Sequence, residues 1–277
     1  MIIDAHQHFW RLSRGDYSFP VPQDVVLYRD FEPSQLKPLL DQSGVSTTFL
    51  VQATDTLEET GFLLRLAAET PFVAGVVGWW DPQIDGGLSR LMALPHAEWL
   101  VGVRPMLQKY DDIAWLRTDD ALQGLSEIGS RGLAFDALVD ARHLDGIDAM
   151  CSALPELRVV IDHMGKPWRH PALFARWEAG MQALARHANC FVKLSGYPFA
   201  HPAPDPQADL PALCTRLRRW YGAERIIWGS DWPVAEREGG YASTLAGMKA
   251  LVAADEQQSI FHDNAAAFYR LRQNEKS

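Results

Sequence analysis

Along the chain, short apolar runs rich in β-branched residues alternate with longer stretches whose apolar positions recur at helical spacing. The runs predict strands at residues 2–6, 47–52, 72–80, 99–104, 133–139, 158–163, 190–196 and 225–231. Helices are predicted between them, for example over 33–42, 57–69, 113–128, 144–153, 171–187 and 210–221. Such alternation favours right-handed βαβ units and a parallel sheet. Several runs, Phe72-Val-Ala-Gly-Val-Val among them, are apolar at almost every position, as strands covered on both faces should be. Eight runs spread evenly over 277 residues predict one α/β domain, a single (β/α)8 TIM-type barrel over residues 1–277. An open doubly wound sheet is the alternative. No G-x-G-x-x-G follows a strand, so a dinucleotide-binding half has no support. The loops at 11–28 and 197–207, rich in proline and aromatic residues, read as covers over a site.

In a barrel the C-terminal strand ends converge on one mouth, so polar residues there carry the chemistry. Asp4, His6 and His8 recur at every second residue of the first run, which predicts one shared face. Two imidazoles converging there make half of a metal site, or two donors to a substrate oxygen. The sixth run ends in His163 and the eighth in Asp231. Taken alone, His163 reads as a core histidine and Asp231 as a helix cap. Together with the H-x-H of the first strand they read as a site.

Arg104 ends the fourth run, Asp136 lies within the fifth, and Lys193 and Ser195 share a face of the seventh. Lys193 on an inward face needs a carboxylate partner, for which Asp4 and Asp136 are the candidates. The planar fork of Arg104 suits a carboxylate or a polarised carbonyl. Trp10, Trp79, Trp168, Tyr197 and Trp232 flank the same strand ends, where rings can stack on a sugar-like ligand or simply pack in the core.

Composition narrows the class. Apolar residues make up 47% and charged residues 22%, an ordinary globular balance. The formal net charge of −9 argues against nucleic acid or an anionic membrane surface as partner and favours small-molecule chemistry. Three widely spaced cysteines without a C-x-x-C pair suggest neither a disulfide framework nor a cysteine zinc site, which fits a reducing cytoplasmic compartment. No basic-then-apolar leader and no membrane-spanning apolar run is evident.

Four motifs in order, Met1-Ile-Ile-Asp-Ala-His-Gln-His-Phe-Trp, His163-Met-Gly-Lys-Pro, Val192-Lys-Leu-Ser-Gly and Trp228-Gly-Ser-Asp-Trp-Pro, resemble the amidohydrolase superfamily. The tail Ile260-Phe-His-Asp-Asn-Ala-Ala-Ala-Phe-Tyr is similar to its closing helix. Within the superfamily the pattern looks most like the sugar-lactonase branch. The resemblance implies hydrolysis of an aldonolactone, L-fuconolactone or a close relative, to its sugar acid. It implies Asp231 and His163 as proton-handling residues; the residues at the strand ends themselves suggest Trp10, Trp79, Arg104, Lys166, Tyr197 and Trp232 around the substrate.

The resemblance also implies one divalent metal, zinc, on His6, His8 and Asp231, with His163 as a further ligand, and leaves a metal-free route open. Arg104 and Asp136 stand where two-metal members carry a carboxylated lysine and a histidine, which disfavours a second ion. A zinc-dependent decarboxylase, a pyrone-dicarboxylate lactonase and a non-catalytic sugar-acid-binding barrel remain alternatives. The expected partner is a small sugar lactone, and a homo-oligomer stays open.

Overall fold

A computed structural model describes residues 1–84, 86–200 and 208–271. Eight parallel strands form one sheet in sequential order: β1 (Ile2–Gln7), β2 (Val45–Val51), β3 (Val73–Gly78), β4 (Leu100–Val103), β5 (Ala134–Ala137), β6 (Val159–Ile161), β7 (Cys190–Leu194) and β8 (Ile226–Trp228). The ring closes just beyond β8. There the Asp231 N–H donates to the His6 carbonyl at 2.8 Å and the His8 N–H donates to the Trp232 carbonyl at 2.7 Å. The single barrel predicted from the periodicity is therefore the observed architecture.

Helices between the strands are α1 (Pro33–Ser43), α2 (Leu57–Glu69), α3 (Gly87–Met92), α4 (Asp119–Ser130), α5 (Leu144–Ala153), α6 (Phe174–Leu184) and α7 (Leu210–Tyr221). After β8 come α8 (Tyr241–Leu251) and α9 (Asn264–Phe268). The predicted helix 113–128 begins as a separate 3-10 turn at Ala114–Arg117 and restarts as α4 after Thr118, whose hydroxyl caps the Ala121 N–H. The predicted helix 171–187 likewise opens as a 3-10 turn, Pro171–Leu173, before α6. The positions of α3 and α8 are not marked in the sequence: α3 is short and glycine-led, and α8 mixes Ala, Ser, Thr and Gly with little apolar periodicity.

Strand alternation sorts side chains into two layers. Ile2, Leu50, Val76, Val159, Val192 and Ile226 belong to the outer core, which the helices cover. Ile3, Phe49, Val51, Val77, Ala134, Val160 and Ile227 fill the barrel interior, where Phe268 and Tyr269 join them from the C-terminal segment. Buried polar side chains, among them Asp136, Lys193 and Asp162, share that interior, which opens into the mouth. Of the expected cover loops, 11–28 contributes Ser18 and Phe19 to the mouth, whereas 201–207 lies outside the described residues.

Candidate active site

The first strand does not keep strict alternation. Its pairing with β2 shifts register between Asp4 and Gln7. Ala5 packs in the interior and His6 turns inward as well, while Asp4 faces outward. Asp4 accepts from the Tyr241 hydroxyl at 2.9 Å and the Ser230 N–H at 2.8 Å, so it braces α8 and the β8 exit rather than sharing the His6 face. Burial raises its carboxyl to about 6.

Three strand exits meet over the barrel axis. Asp231 Oδ1 lies 3.2 Å from His8 Nε2, 3.5 Å from His6 Nε2 and 4.0 Å from His163 Nε2. Both exit residues sit in the left-handed backbone region, His163 at φ 53° and Asp231 at φ 58°. Non-glycine residues adopt that conformation at a cost of about 1–3 kcal/mol. The strain is continuous around His163, since Met164, Gly165 and Lys166 also have positive φ. The Trp177 indole N–H pins that turn by donating to the Met164 carbonyl at 2.7 Å. His163 Nδ1 contacts Ser195 Oγ at 2.9 Å. A Cβ on the residue that follows, Gly196, would lie 2.4 Å from the same Nδ1, so this position requires glycine.

Electrostatics differ sharply within this small volume. Burial opposes ionisation of Asp231, yet the neighbouring His163, His8 and His6 hold its carboxyl well below the ordinary carboxylate range. Burial pulls His163 down to about 4 and places His6 well below its usual value, so both imidazoles are neutral near pH 7. Lys166 is drawn down to about 8 by burial, against the attraction of Asp231 and with the repulsion of Arg104 and Arg169.

Beneath the mouth runs a buried chain of charges. Tyr269 donates to Asp136 at 2.7 Å, Lys193 donates to the same oxygen at 2.5 Å, and Lys193 also meets Asp162 at 3.1 Å. Asp162 then faces His6 at 3.5 Å and Arg104 at 3.3 Å. Of the two partners expected for Lys193, Asp136 is the one in contact. Asp162 was not singled out from the sequence; its adjacency to His163 hid that it points into the barrel centre instead. Burial disfavours its charge, but Lys193, His6 and Arg104 together keep it ionised.

These groups face a cavity of about 440 Å³ lined by His8, His163, Asp231, Arg104, Lys166 and Trp10, with Trp168, Gln108, Arg169 and Arg237 further around its wall. Gln108, Arg169 and Arg237 carried no sequence signal of their own. The remaining predicted substrate contacts lie elsewhere. Trp232 is buried between Phe9 and Phe31, with its indole N–H donating to Glu236. Trp79 lines a separate pocket of about 250 Å³ beside Asp55 and Trp80. Tyr197 packs behind Trp168 at 5.3 Å between ring centroids, and so backs the cavity wall.

The sequence matches a family described as Amidohydrolase over residues 3–271. The chain belongs to the amidohydrolase family. It is 39% identical to an L-fucono-1,5-lactonase of Burkholderia ambifaria over 97% of this chain and 95% of the relative. An L-fucono-1,5-lactonase of Burkholderia multivorans is 31% identical over 97% and 96% of the two chains. The crystal structure of an amidohydrolase from Burkholderia multivorans with bound zinc superposes with a TM-score of 0.87 at 29% identity, covering 98% of this chain and all of that one.

In this amidohydrolase, His6, His163 and Asp231 form a set able to hold a metal ion, each offering a ligand atom within 4.8 Å of the others. Two imidazoles and a carboxylate suit a divalent cation chemically. His8, expected in that set, instead contacts the Val51 carbonyl through Nδ1 at 2.8 Å and Asp231 through Nε2. The His6 Nε2 lone pair also faces Arg104 at 3.4 Å, so a cation here would share it with a guanidinium. No helix among the described residues is long and apolar enough to cross a membrane.

Proposed function

We propose that the protein hydrolyses a sugar lactone, L-fucono-1,5-lactone or a near relative, to the free sugar acid. The observation that carries this is the convergence of an ionised Asp231 with neutral imidazoles and the cations Arg104 and Lys166 on one sugar-sized cavity. The relatives select the substrate: lactonase chains match almost end to end.

Asp231 is the base. Water held between Asp231 and the lactone carbonyl gives its proton to the carboxylate as its oxygen attacks the carbonyl carbon. His8 stands between two acceptors, the Val51 carbonyl at Nδ1 and the Asp231 carboxylate at Nε2, and so fixes the position of the carboxylate. Arg104, fixed by Asp162 and the Gln52 carbonyl, and Lys166 stabilise the developing oxyanion. Each such donor contributes about 3 kcal/mol when aimed at the transition state. Collapse of the tetrahedral adduct breaks the ring C–O bond, and the proton on Asp231, or one passed through His163, goes to the departing ring oxygen. Trp168 offers apolar wall to the sugar's C–H faces.

A zinc ion bound by His6, His163 and Asp231 would polarise the carbonyl and acidify water. Acid release from a panel of 1,4- and 1,5-aldonolactones, followed with a pH indicator, tests the assignment. Turnover of L-fucono-1,5-lactone is expected, and no acid release from any member would sink it.

A further inference from the structure

Five cationic side chains line the mouth: Arg104, Lys109, Lys166, Arg169 and Arg237. Three of them have a carboxylate of their own. Arg104 meets Asp162, Lys109 meets Asp55 at 2.6 Å, and Arg237 meets Asp24. Lys166 and Arg169 are different. Both donate to one neutral atom, Oε1 of Gln108, at 2.8 and 3.1 Å, and among the described residues neither forms an ion pair with a carboxylate. Two like charges drawn onto one amide oxygen repel each other, and a neutral acceptor offsets only part of that repulsion. An anionic oxygen placed between them would remove it, with charge-assisted bonds about twice as strong as neutral ones. The pair also adjoins the reacting centre, because Lys166 belongs to the same left-handed turn as His163 and its N–H bonds to the His163 carbonyl at 2.9 Å.

We propose that Lys166, Arg169 and Gln108 form a carboxylate subsite in the mouth, and that it takes the acid group of a sugar acid. The identity of the ligand rests on the lactonase function above; the subsite itself rests on the two cations that share Gln108 and form no ion pair among the described residues. A neutral lactone brings no charge to it. A carboxylate can come from ring opening, as product, or from a second acid group already on the substrate.

The two sources share one chemistry and separate in one experiment. By calorimetry at low salt, the protein is titrated with L-fuconate and with the neutral alditol L-fucitol. The acid is expected to bind at least tenfold more tightly, and Arg169→Gln should cut that preference to under threefold. Gln108→Glu gives the pair a carboxylate of its own while keeping both cations, so it should abolish the preference even where Arg169→Gln folds poorly. Equal affinity for acid and alditol, or a preference untouched by both variants, overturns the subsite.

Turnover then names the source. If kcat/KM of the wild type for D-glucaro-1,4-lactone exceeds that for the neutral lactone, and Arg169→Gln reverses the order, the acid group comes with the substrate. If the variant changes only inhibition by sugar acid, the acid group is the product's. Sugar-acid binding without acid release from any lactone would refute the lactonase function and leave the subsite standing.

Discussion

His8 lies between two acceptors, with Nδ1 2.8 Å from the Val51 carbonyl and Nε2 3.2 Å from Asp231 Oδ1, so its ring ties the carboxylate to the end of β2. That arrangement holds Asp231 as a carboxylate over the cavity, where its proposed role as base is testable. Asp231→Asn cannot take the proton from water, so kcat/KM should fall about 10³-fold, within the span general-base catalysis supplies. Sugar-acid binding measured without turnover should survive. A rate within tenfold of wild type would remove Asp231 from the base role. Gly196 makes a second residue-scale case, since its φ of 61° and the 2.4 Å approach to His163 leave no room for a methyl group. Gly196→Ala should cost about 1–3 kcal/mol in urea unfolding. It should also lower kcat more than it raises KM, because it displaces His163, a proton carrier in the proposed mechanism, rather than the cavity wall. An unchanged unfolding midpoint would show that the turn relaxes freely.

At the scale of elements, the loop entering α2 is built around Glu59. Its buried carboxyl accepts the Ala53 and Thr54 N–H groups at 3.0 and 2.8 Å, and burial raises it from 4.5 to about 8. The folded protein therefore keeps a proton between those values that the unfolded chain has lost. More protons bound in the folded state means stability that falls as pH rises through the window, at up to about 1.4 kcal/mol per pH unit. His163 works the opposite way only below 6.5, where folding must discharge it. From pH 6.5 to 8, Glu59→Gln should flatten the decline seen in wild type by denaturant titration. Parallel curves for the two proteins would show that Glu59 is already ionised.

Elements also show what can be read from sequence. All eight strands are legible because a doubly covered strand is apolar at nearly every position. The runs overshoot β5, β6 and β8 at their C-terminal ends because residues such as His163 and Asp231 leave the ladder to enter the mouth. The orientation of Asp4 is not legible, since a register shift carries no local signature. The pairing of Lys166 with Arg169 through Gln108, 58 positions away from Lys166, needs the fold itself.

For the whole molecule, the barrel axis is a ladder of alternating charge from Tyr269 at the floor through Asp136, Lys193 and Asp162 to His6 and Arg104 at the mouth. All of it is buried, so removing one member strands its neighbours. Lys193→Met should cost about 3–5 kcal/mol by leaving two carboxylates facing each other. Adding Asp136→Asn should recover part of that loss. If the single variant unfolds at the wild-type urea concentration, the ladder contributes nothing to stability.

The seam that completes the barrel carries a consequence in time as well as in space. His8 and Asp231 stand 223 positions apart, and the hydrogen bonds joining their strands are the last the ring can form. During synthesis the part of the site on the first strand waits while the seven strands that follow it are made. No nascent fragment short of the eighth strand can carry out the chemistry. Contacts this distant in sequence also close slowly. Activity thus appears abruptly, with the final turn of the ring.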